Sequence, residues 1–316
     1  MPFMNILITG VTGFIGRHLV ETLAKKHDYK IFCLVRNDKK AQKLEHLGVK
    51  FIYADITQKH TLTKILRHNI DIIVHCAGYV GNDNKDLLYK TNVLGTQNLC
   101  ELAQNLNVDR FIYLSSVAVV SGNPDIPLTE DLPYKATCPY GESKIEAEKI
   151  ILAYRQRGLK MVILRPCMIY GPDEPHMLKT LCKLLRFRML FTIDKGVKKL
   201  HLVYVKNVVD TIIYALDKDK LLEGSYFVAD EDVLSVKEIF DIISSQYKIA
   251  KAWDLPVILK PLLLNVPILG KKVKFFLKDR IYSTQKLKEA GFSASCKTRK
   301  MFPESLKTFM AKGGAK

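Results

Sequence analysis

The sequence predicts an α/β fold built on a doubly wound parallel sheet, with a smaller mixed α/β lobe at its C-terminal end. Three observations favour this fold class. Short apolar runs alternate with helical patterns from the start of the chain, the intervening helices are long enough for crossover connections, and the alternation becomes irregular after Pro166. Strands separated by helices of this length are typical of βαβ units, whose parallel strands are buried on both faces.

The regular part of the chain contains six predicted strands and five predicted helices. The strands are residues 5–9, 30–35, 49–53, 70–76, 110–115 and 162–165. The helices are residues 14–26, 39–47, 61–67, 88–105 and 143–157. Beyond Pro166 the pattern predicts helices 177–185, 208–216 and 236–247, with strands 200–205 and 226–228 between them.

Composition is that of an ordinary globular protein, with an uneven surplus of basic residues. The 316 residues are 48% hydrophobic and 26% charged, and the formal net charge is +17. Residues 255–316 contain 14 basic and 3 acidic side chains. This surplus favours an anionic small-molecule substrate or a weak contact with a membrane surface, although a solvated lysine-rich surface has the same composition. Basic residues are not interleaved with aromatic ones, so we expect no nucleic-acid partner.

The cysteines, the N-terminus, one apolar run and the histidines indicate the expected cellular location and the expected absence of a metal site. The seven cysteines form no CxxC pair, and the N-terminus lacks the charged region and cleavage site of a signal peptide, which predicts a reduced, cytoplasmic protein. The apolar run 255–270 contains Lys260 and three prolines and is shorter than the ~20 residues of a membrane-spanning helix. The eight histidines show no metal-ligand spacing, so no metal site is expected.

A glycine-rich turn follows the first strand and predicts a dinucleotide site. Gly10, Gly13 and Gly16 are spaced as in the phosphate-binding turn of a Rossmann-like fold, where glycines permit a tight turn and a close approach to a pyrophosphate. The helix that follows offers free N–H groups to the phosphates. The residues between the glycines that we expect at the cofactor are Thr12, Phe14 and Ile15.

The end of the second strand bears on the choice of dinucleotide. Arg36 stands directly after this strand, where an arginine can pair with the 2′-phosphate of NADP, so NADP is expected and NAD remains an alternative. Arg36 as a solvated residue at a strand end is the other interpretation. Asp55 and Ile56 follow the third strand and are expected to border the adenine. We therefore assign residues 1–166, together with about 200–222, to a dinucleotide-binding domain and 167–316 mostly to a substrate lobe.

Tyr140 and Lys144 open a predicted helix and provide acid–base chemistry. Residues four apart share one helix face, and a cation near a phenol lowers its pKa from ~10. Ser116 ends the fifth strand, at the carboxyl edge of the sheet where open α/β folds place their ligands. A serine hydroxyl there can hydrogen-bond a substrate oxygen, while Ser115, one residue earlier, is expected to be structural.

In combination these motifs resemble the extended short-chain dehydrogenase/reductases of the NAD-dependent epimerase/dehydratase family. The matching segments are Thr9-Gly10-xx-Gly13-xx-Gly16, Asp55, His75-Cys76-Ala77-Gly78, Asn92-Val-xx-Gly95-Thr96, Ser115-Ser116, Tyr140-xxx-Lys144, Arg165-Pro166 and Tyr170-Gly171-Pro172.

The resemblance implies a role for each matching residue. Tyr140 would exchange a proton with the substrate oxygen, Lys144 would hold the nicotinamide ribose, and Ser116 would orient the carbonyl or hydroxyl. Further cofactor contacts are implied for Ala77, Gly78 and Pro166. It also implies a homodimer formed by pairing helices 88–105 and 143–157.

Two departures from the family pattern limit the reaction and the substrate. The sugar dehydratases carry an Asp-Glu pair where this chain has Val117-Ala118, so dehydration is not expected. The arginine that contacts the diphosphate of a sugar nucleotide is replaced by the segment Lys198-Lys199-Leu200-His201. Where the family has the pattern Val-x-Asp-Asp-Val, this chain has Lys206-Asn207 in place of the aspartates. The sequence does not explain the effect of this change.

Several functions are consistent with this pattern. The favoured one is NADPH-dependent reduction of a keto group on a nucleotide-activated sugar through Ser116, Tyr140 and Lys144. The alternatives are a nucleotide-sugar 4-epimerase, and a steroid- or flavonoid-type ketone reductase whose apolar substrate would suit the apolar segments 186–191 and 255–269. A non-catalytic dinucleotide-binding sensor is less favoured, because the three catalytic side chains are intact.

Overall fold

The computed structural model describes residues 4–311 apart from 27, 37, 176, 189–190, 218–220, 222, 257 and 259–275. The strands in these ranges are β1 (Met4–Thr9), β2 (Tyr29–Val35), β3 (Lys50–Tyr53), β4 (Ile72–His75), β5 (Arg110–Leu114), β6 (Met161–Pro166), β7 (Met168–Tyr170), β8 (Phe191–Ile193), β9 (Lys199–Tyr204), β10 (Ser225–Val228), β11 (Val233–Ser235) and β12 (Trp253–Leu255).

The same ranges contain α-helices and shorter helical turns. The α-helices are α1 (Phe14–Leu23), α2 (Asp38–Ala41), α3 (Lys85–Leu88), α4 (Gly95–Leu106), α5 (Pro139–Gln156), α6 (Met177–Arg186), α7 (Val205–Asp217), α8 (Val236–Tyr247), α9 (Gln285–Glu289) and α10 (Thr298–Ala311). The 3₁₀ segments are Gln42–Leu47, Lys59–Arg67, Val117–Val119 and Asp194–Gly196. A π-helical segment, Tyr89–Leu94, joins α3 to α4. None of the helices in the described ranges is long and apolar enough to cross a membrane.

Seven parallel strands form the large sheet, in the order β10-β6-β5-β4-β1-β2-β3. The strand order reverses between β1 and β4, which creates the switch point where open α/β sheets bind ligands at the carboxyl ends of their strands. The predicted doubly wound sheet is therefore confirmed. Residues 226–228 belong to this sheet as β10, whereas residues 200–204 form β9 of a separate three-stranded sheet.

Side chains alternate between two apolar layers on the faces of the large sheet. Ile6 and Ile8 of β1 point into the layer formed with α1 and α7, while Leu7 points into the layer formed with α4 and α5. All three side chains are fully buried. Burial on both faces explains why the strands are continuous apolar runs in the sequence.

The second lobe packs two small sheets against α6, α8 and α10. β9 pairs with β7 in parallel and with β11 in antiparallel orientation, and β12 pairs with β8 in parallel. Its core contains Tyr170, Leu202, Phe240 and Phe302. Four three-residue strands, β7, β8, β11 and β12, were not predicted because runs this short are defined by their pairing partners. Most of the apolar run 255–270, namely residues 257 and 259–270, lies outside the described residues.

Three predicted helices differ from the structure in helix type or continuity, while the bounds of the others differ by at most four residues. Residues 88–105 were expected to form one helix, but the segment begins at Lys85 and is interrupted by the π-helical turn. The expected helix 61–67 is a 3₁₀ segment, and only the first turn of 39–47 is α-helical. The backbone geometry of such short helical segments is set by tertiary packing more than by helix propensity.

Asp230 is the polar centre that joins the second lobe to the C-terminal segment. Its carboxylate accepts hydrogen bonds from the Tyr170 hydroxyl at 2.9 Å, the Asn207 amide at 2.6 Å and the Thr298 hydroxyl at 2.7 Å. The main-chain N–H of Tyr204 donates a fourth, at 2.9 Å. Asp230 is fully buried, so these donors replace the water that the carboxylate loses on folding.

This arrangement explains Asn207, which replaces the aspartate of the family pattern. The Asn207 amide nitrogen donates to Asp230 and to the Cys296 carbonyl, and its amide oxygen accepts from the Cys296 N–H at 3.1 Å. An aspartate at this position would place a second carboxylate against Asp230. The amide of Asn207 therefore avoids a second buried carboxylate beside Asp230.

We expect Asn207→Asp to lower the free energy of unfolding by about 2–4 kcal/mol at pH 7.5, because two buried carboxylates would face each other without the amide donor. Urea denaturation followed by circular dichroism measures this loss. Asn98→Asp is the matched control, since the Asn98 amide donates to the main-chain carbonyl of Ile56 rather than to a carboxylate. Equal losses in the two variants would contradict the explanation.

Candidate active site

The glycine turn brings the main chains of two strands into contact. Gly10 has φ +72°, and a Cβ at this position would lie 2.6 Å from the Ala77 nitrogen beyond β4. A Cβ on Gly16 would collide with the Gly10 carbonyl, so α1 can lie close to the turn only because this residue is glycine. Gly13 stands at the N-terminus of α1, and the first N–H groups of the helix are directed toward the carboxyl edge of the sheet. Thr12 and Gly13 are exposed, while Phe14 and Ile15 are half-buried.

Arg36 and Asp55 lie together at the ends of β2 and β3. The guanidinium of Arg36 is 3.8 Å from the Asp55 carboxylate, and its side chain is 67% exposed. The other oxygen of Asp55 accepts hydrogen bonds from the N–H and the hydroxyl of Thr57, both at 2.9 Å. Arg36 thus extends from the sheet edge with one long, weak ion pair, and Asp55 is held in its loop. The side chain of Ile56 is buried beneath α4.

The three predicted catalytic residues meet at the carboxyl edge of β5. Ser116 follows the strand, and its oxygen accepts a hydrogen bond from the Ala118 N–H, which orients the side chain. The side chain of Ser116 interacts with the phenol of Tyr140 and opposes the effect of burial on the pKa of that phenol. Tyr140 and Lys144 lie in the first turns of α5, as predicted.

Gly141 allows α5 to approach the turn that carries Ser116. A Cβ at Gly141 would lie 2.9 Å from the Ala118 carbonyl oxygen and 2.9 Å from the Cβ of Ala136. A larger residue would therefore push the helix, and Tyr140 with it, away from Ser116. The sequence analysis did not identify this glycine, because its role depends on a backbone 23 residues away.

Lys144 is directed away from solvent and is bound on the sheet side of α5. Its ammonium donates to the Tyr113 hydroxyl at 3.1 Å and to the Leu114 carbonyl at 2.9 Å. A Cβ on Gly78 would lie 3.5 Å from this nitrogen, so the ammonium also lies beside Gly78. Burial lowers the pKa of Lys144 to about 8, while the carboxylate of Glu148 acts in the opposite direction.

The protonation of Tyr140 differs from the expectation. The sequence predicted that Lys144 would lower the pKa of this phenol, but burial raises it to about 12, and the interaction with Ser116 only partly opposes burial. The ammonium of Lys144 instead donates its hydrogen bonds to Tyr113 and Leu114. Tyr140 is consequently a neutral phenol at neutral pH.

A buried ion pair links the catalytic helix α5 to strand β6. Arg165 donates to both oxygens of Glu148, at 2.9 and 2.7 Å, and the two side chains are 5% and 0% exposed. Glu148 also accepts from the Ser115 hydroxyl at 2.5 Å and from the Tyr134 hydroxyl at 2.8 Å. Ser115 is thus structural, as expected. Pro166, next to Arg165, is buried at the end of β6.

Asn92 attaches the loop beyond β4 to the catalytic helix. Its amide oxygen accepts from the Tyr79 N–H at 2.8 Å, and its nitrogen donates to the Tyr79 carbonyl and the Ser143 hydroxyl, both at 2.9 Å. The π-helical turn before α4 contains this residue. Asn92 therefore holds the segment that includes Gly78 against α5. The sequence analysis identified the motif that contains Asn92, but it did not identify the hydrogen-bond partners of this side chain.

Comparison with known proteins assigns the chain to a family. The profile of the NAD dependent epimerase/dehydratase family matches residues 6–229. The chain belongs to this family. The resemblance to extended short-chain dehydrogenase/reductases is confirmed, and the protein is an oxidoreductase or epimerase of this NAD-dependent family.

Its relatives within the family have different substrates. The chain is 30% identical over 272 residues to the UDP-glucose 4-epimerase of Vibrio cholerae, covering 80% of this chain and 78% of that protein. It is 30% identical over 236 residues to the human sterol-4-alpha-carboxylate 3-dehydrogenase, decarboxylating, covering 71% of this chain but only 61% of that protein. The fold is shared with UDP-glucuronic acid 4-epimerase from Bacillus cereus in complex with NAD, at a TM-score of 0.81 and 22% identity, with 99% and 100% of the two chains covered.

His75 is the buried polar link between the glycine turn and α4 in this family member. Its Nδ1 lies 2.8 Å from the Thr9 hydroxyl and its Nε2 lies 3.1 Å from the Thr96 hydroxyl. Thr96 donates its own proton to the Asn92 carbonyl, so Nε2 carries the hydrogen and Nδ1 accepts from Thr9. Burial, with a smaller contribution from the charge of Lys144, lowers the pKa of His75 to about 3.

The neutral state of His75 makes stability depend on pH. Because the folded pKa is about 3 and the unfolded value about 6.5, the unfolded chain takes up a proton first as the pH falls, and stability decreases between these values. We expect His75 to contribute a loss of about 1.4 kcal/mol between pH 7.5 and 5.5. His75→Gln should remove this part of the pH dependence in urea denaturation, whereas His60→Gln, at an exposed histidine, should retain it. An unchanged slope in His75→Gln would contradict the assignment.

Proposed function

We propose that this enzyme reduces a ketone with NADPH, using Tyr140 as the proton donor. The observation that carries the proposal is the placement of Ser116 and Tyr140, which lie together at the carboxyl edge of β5, where the Tyr140 phenol is neutral. A phenol with a pKa of about 12 can donate a proton at neutral pH, which is what ketone reduction requires. Oxidation of an alcohol, the first half of an epimerase cycle, requires the phenolate instead.

The residues present fit a dinucleotide cofactor. The close approach at Gly10 and Gly16, together with the N-terminus of α1, would hold the pyrophosphate, and Gly78 with Lys144 would border the nicotinamide ribose. When bound, the cofactor supplies the hydride. Arg36 would hold the 2′-phosphate of NADP, and Asp55, Ile56, Ala77 and Pro166 remain predicted contacts.

The side chains divide the remaining chemistry between them. Ser116 hydrogen-bonds the substrate carbonyl oxygen and aligns it with the phenol. Tyr140 transfers its proton to this oxygen as negative charge develops on it. Lys144, one helical turn along α5, remains largely charged at pH 7 and would hold the nicotinamide ribose.

The first candidate substrate is the 4-keto form of a nucleotide-activated sugar. The similarity to the Vibrio cholerae UDP-glucose 4-epimerase and the basic surplus of the chain support it. The apolar pair Val117-Ala118 replaces the acid–base pair of the sugar dehydratases and supports reduction over dehydration. The anionic substrate, the homodimer and the cytoplasmic location remain predictions.

A specific observation favours an apolar ketone as the second candidate. Where a diphosphate-binding arginine is expected, Lys198 pairs with Asp279 at 3.1 Å and Leu200 is buried. A lysine neutralised in this way is a weaker diphosphate ligand. The similarity to the human sterol dehydrogenase points in the same direction. NADPH oxidation with keto-sugar nucleotides and with cyclic apolar ketones separates the two classes.

Tyr140→Phe should reduce kcat by about 10²–10⁴-fold while NADPH still binds, because only the proton donor is removed. Stopped-flow NADPH oxidation and a fluorescence titration of the cofactor measure the two quantities. Tyr79→Phe is the matched control, since it removes a tyrosine hydroxyl that is hydrogen-bonded to Asp83. An unchanged kcat in Tyr140→Phe would show that Tyr140 is not the proton donor and would overturn the proposal.

Arg36→Ala should weaken NADPH binding about 10–100-fold and leave NADH binding unchanged, because the lost contact is a charge-assisted bond to the 2′-phosphate. Titration of both dinucleotides against the purified protein measures the ratio of the NADPH and NADH dissociation constants. Lys40→Ala removes an exposed cation from the following helix and should leave the ratio unchanged. Tighter binding of NADH than NADPH by the unsubstituted protein would overturn the NADP assignment.

A further inference from the structure

Lys144 is a buried cation whose two hydrogen-bond acceptors are both neutral. The residue is 4% exposed, and its ammonium donates to the Tyr113 hydroxyl at 3.1 Å and to the Leu114 carbonyl at 2.9 Å. An ammonium has three protons, so these two bonds leave one proton for another acceptor. The ammonium also lies beside Gly78, where a Cβ would be 3.5 Å from its nitrogen, and this glycine borders the proposed cofactor site.

Tyr113 lies on an inner strand of the large sheet. It is fully buried in β5, where it pairs with His75 of β4 on one side and with Ile163 of β6 on the other. The centre of its ring is 5.5 Å from that of the His75 ring and 4.7 Å from the Lys144 nitrogen. The acceptor that Tyr113 offers to Lys144 is therefore fixed by packing and inaccessible to water.

Several titratable side chains lie on the elements that enclose Lys144. They are Tyr140 and Glu148 of α5, His75 and Cys76 at the end of β4, Tyr113 of β5 and Arg165 of β6. Arg165 is paired with Glu148, and the phenol of Tyr140 is neutral. Burial keeps His75 uncharged and raises the pKa of the Cys76 thiol to about 12. Among these side chains, Glu148 favours the charged form of Lys144 most.

Burial makes the protonation of Lys144 depend on these neighbours. The loss of water disfavours the ammonium and lowers its pKa to about 8. A hydrogen bond from a charged donor is roughly twice as strong as one between neutral groups. The Tyr113 hydroxyl therefore stabilises the charged form of Lys144 more than the neutral form, even though it can bond to either.

We propose that Tyr113 is a positioning residue for the cofactor, because its hydroxyl keeps the Lys144 ammonium charged and fixed beside Gly78. The inference rests on the contact with the nicotinamide ribose that the proposed function gives to Lys144. Tyr113 is buried and acts through this lysine. As the pH rises, Lys144 loses its proton and can donate fewer hydrogen bonds to the hydroxyls of the ribose. Removal of the Tyr113 hydroxyl should move this loss of cofactor affinity to lower pH.

Tyr113→Phe tests the inference, since it removes the hydroxyl and retains the ring. The dissociation constants of NADPH and NADH are measured by fluorescence with the purified protein between about pH 6 and about pH 9.5. In the unsubstituted protein the affinity should begin to fall near the Lys144 pKa of about 8. In Tyr113→Phe the fall should begin about one pH unit lower, so that binding is about tenfold weaker at about pH 9 and unchanged at about pH 6.

A double-mutant comparison separates this role from a merely structural one. Lys144→Met should weaken dinucleotide binding and abolish the fall in affinity that belongs to the lysine. Tyr113→Phe should then cause no further loss in the Lys144→Met background, because the hydroxyl acts through the ammonium. A further loss in that background, or an equal loss at every pH in Tyr113→Phe alone, would show that Tyr113 acts through the packing of β5 and would overturn the inference.

The matched control is Tyr29→Phe, which removes a phenol hydroxyl bonded to the Asp217 carboxylate at 2.7 Å, at the amino end of β2. Its dissociation constants should follow those of the unsubstituted protein at every pH. The same pH dependence in Tyr113→Phe would refute the role of Tyr113 and leave the proposed function intact. If Lys144→Met binds both dinucleotides as tightly as the unsubstituted protein, the cofactor contact of Lys144 is wrong, and the inference falls with it.

Discussion

The buried ion pair between Glu148 and Arg165 holds the catalytic helix to the sheet. Glu148 lies on α5, one turn beyond Lys144, and Arg165 lies near the end of β6. Two buried charges lose the favourable interaction with water, and such a pair is maintained only when its remaining hydrogen-bonding positions are also satisfied. Ser115, Tyr134 and the Glu130 carbonyl provide those partners. Any movement of α5 relative to β5 would break several of these bonds at once.

The same network extends to the last strand of the large sheet. Arg165 donates to the carbonyl of Glu130, whose carboxylate accepts the main-chain N–H of Phe227 in β10 at 2.7 Å. The strand that returns from the second lobe is thus connected to the residues behind Ser116 and Tyr140.

Close backbone approaches and neutral buried groups complete the site. Gly10 and Gly141 each stand where a Cβ would meet another main chain, and between them they determine how near the phosphate-binding turn and the catalytic helix can come to the sheet. His75 and Tyr140 remain neutral because burial disfavours their charged forms. The positive charge of the site is carried by Lys144, whose ammonium lies beside Gly78.

What the sequence determined by itself was local. The continuous apolar runs indicated strands buried on both faces, the glycine spacing indicated the phosphate-binding turn, and the four-residue spacing of Tyr140 and Lys144 placed both in the first turns of one helix. These features depend on neighbouring residues and on the helix and strand periods. Only the tertiary structure decided the rest: the place of β10 in the large sheet, the three-residue strands, the placement of the Asn207 amide beside Asp230, and the binding of Lys144 to Tyr113 rather than its lowering of the Tyr140 pKa. Each of these depends on partners distant in the sequence, and the free energy of a buried polar group is set by the groups that fold around it.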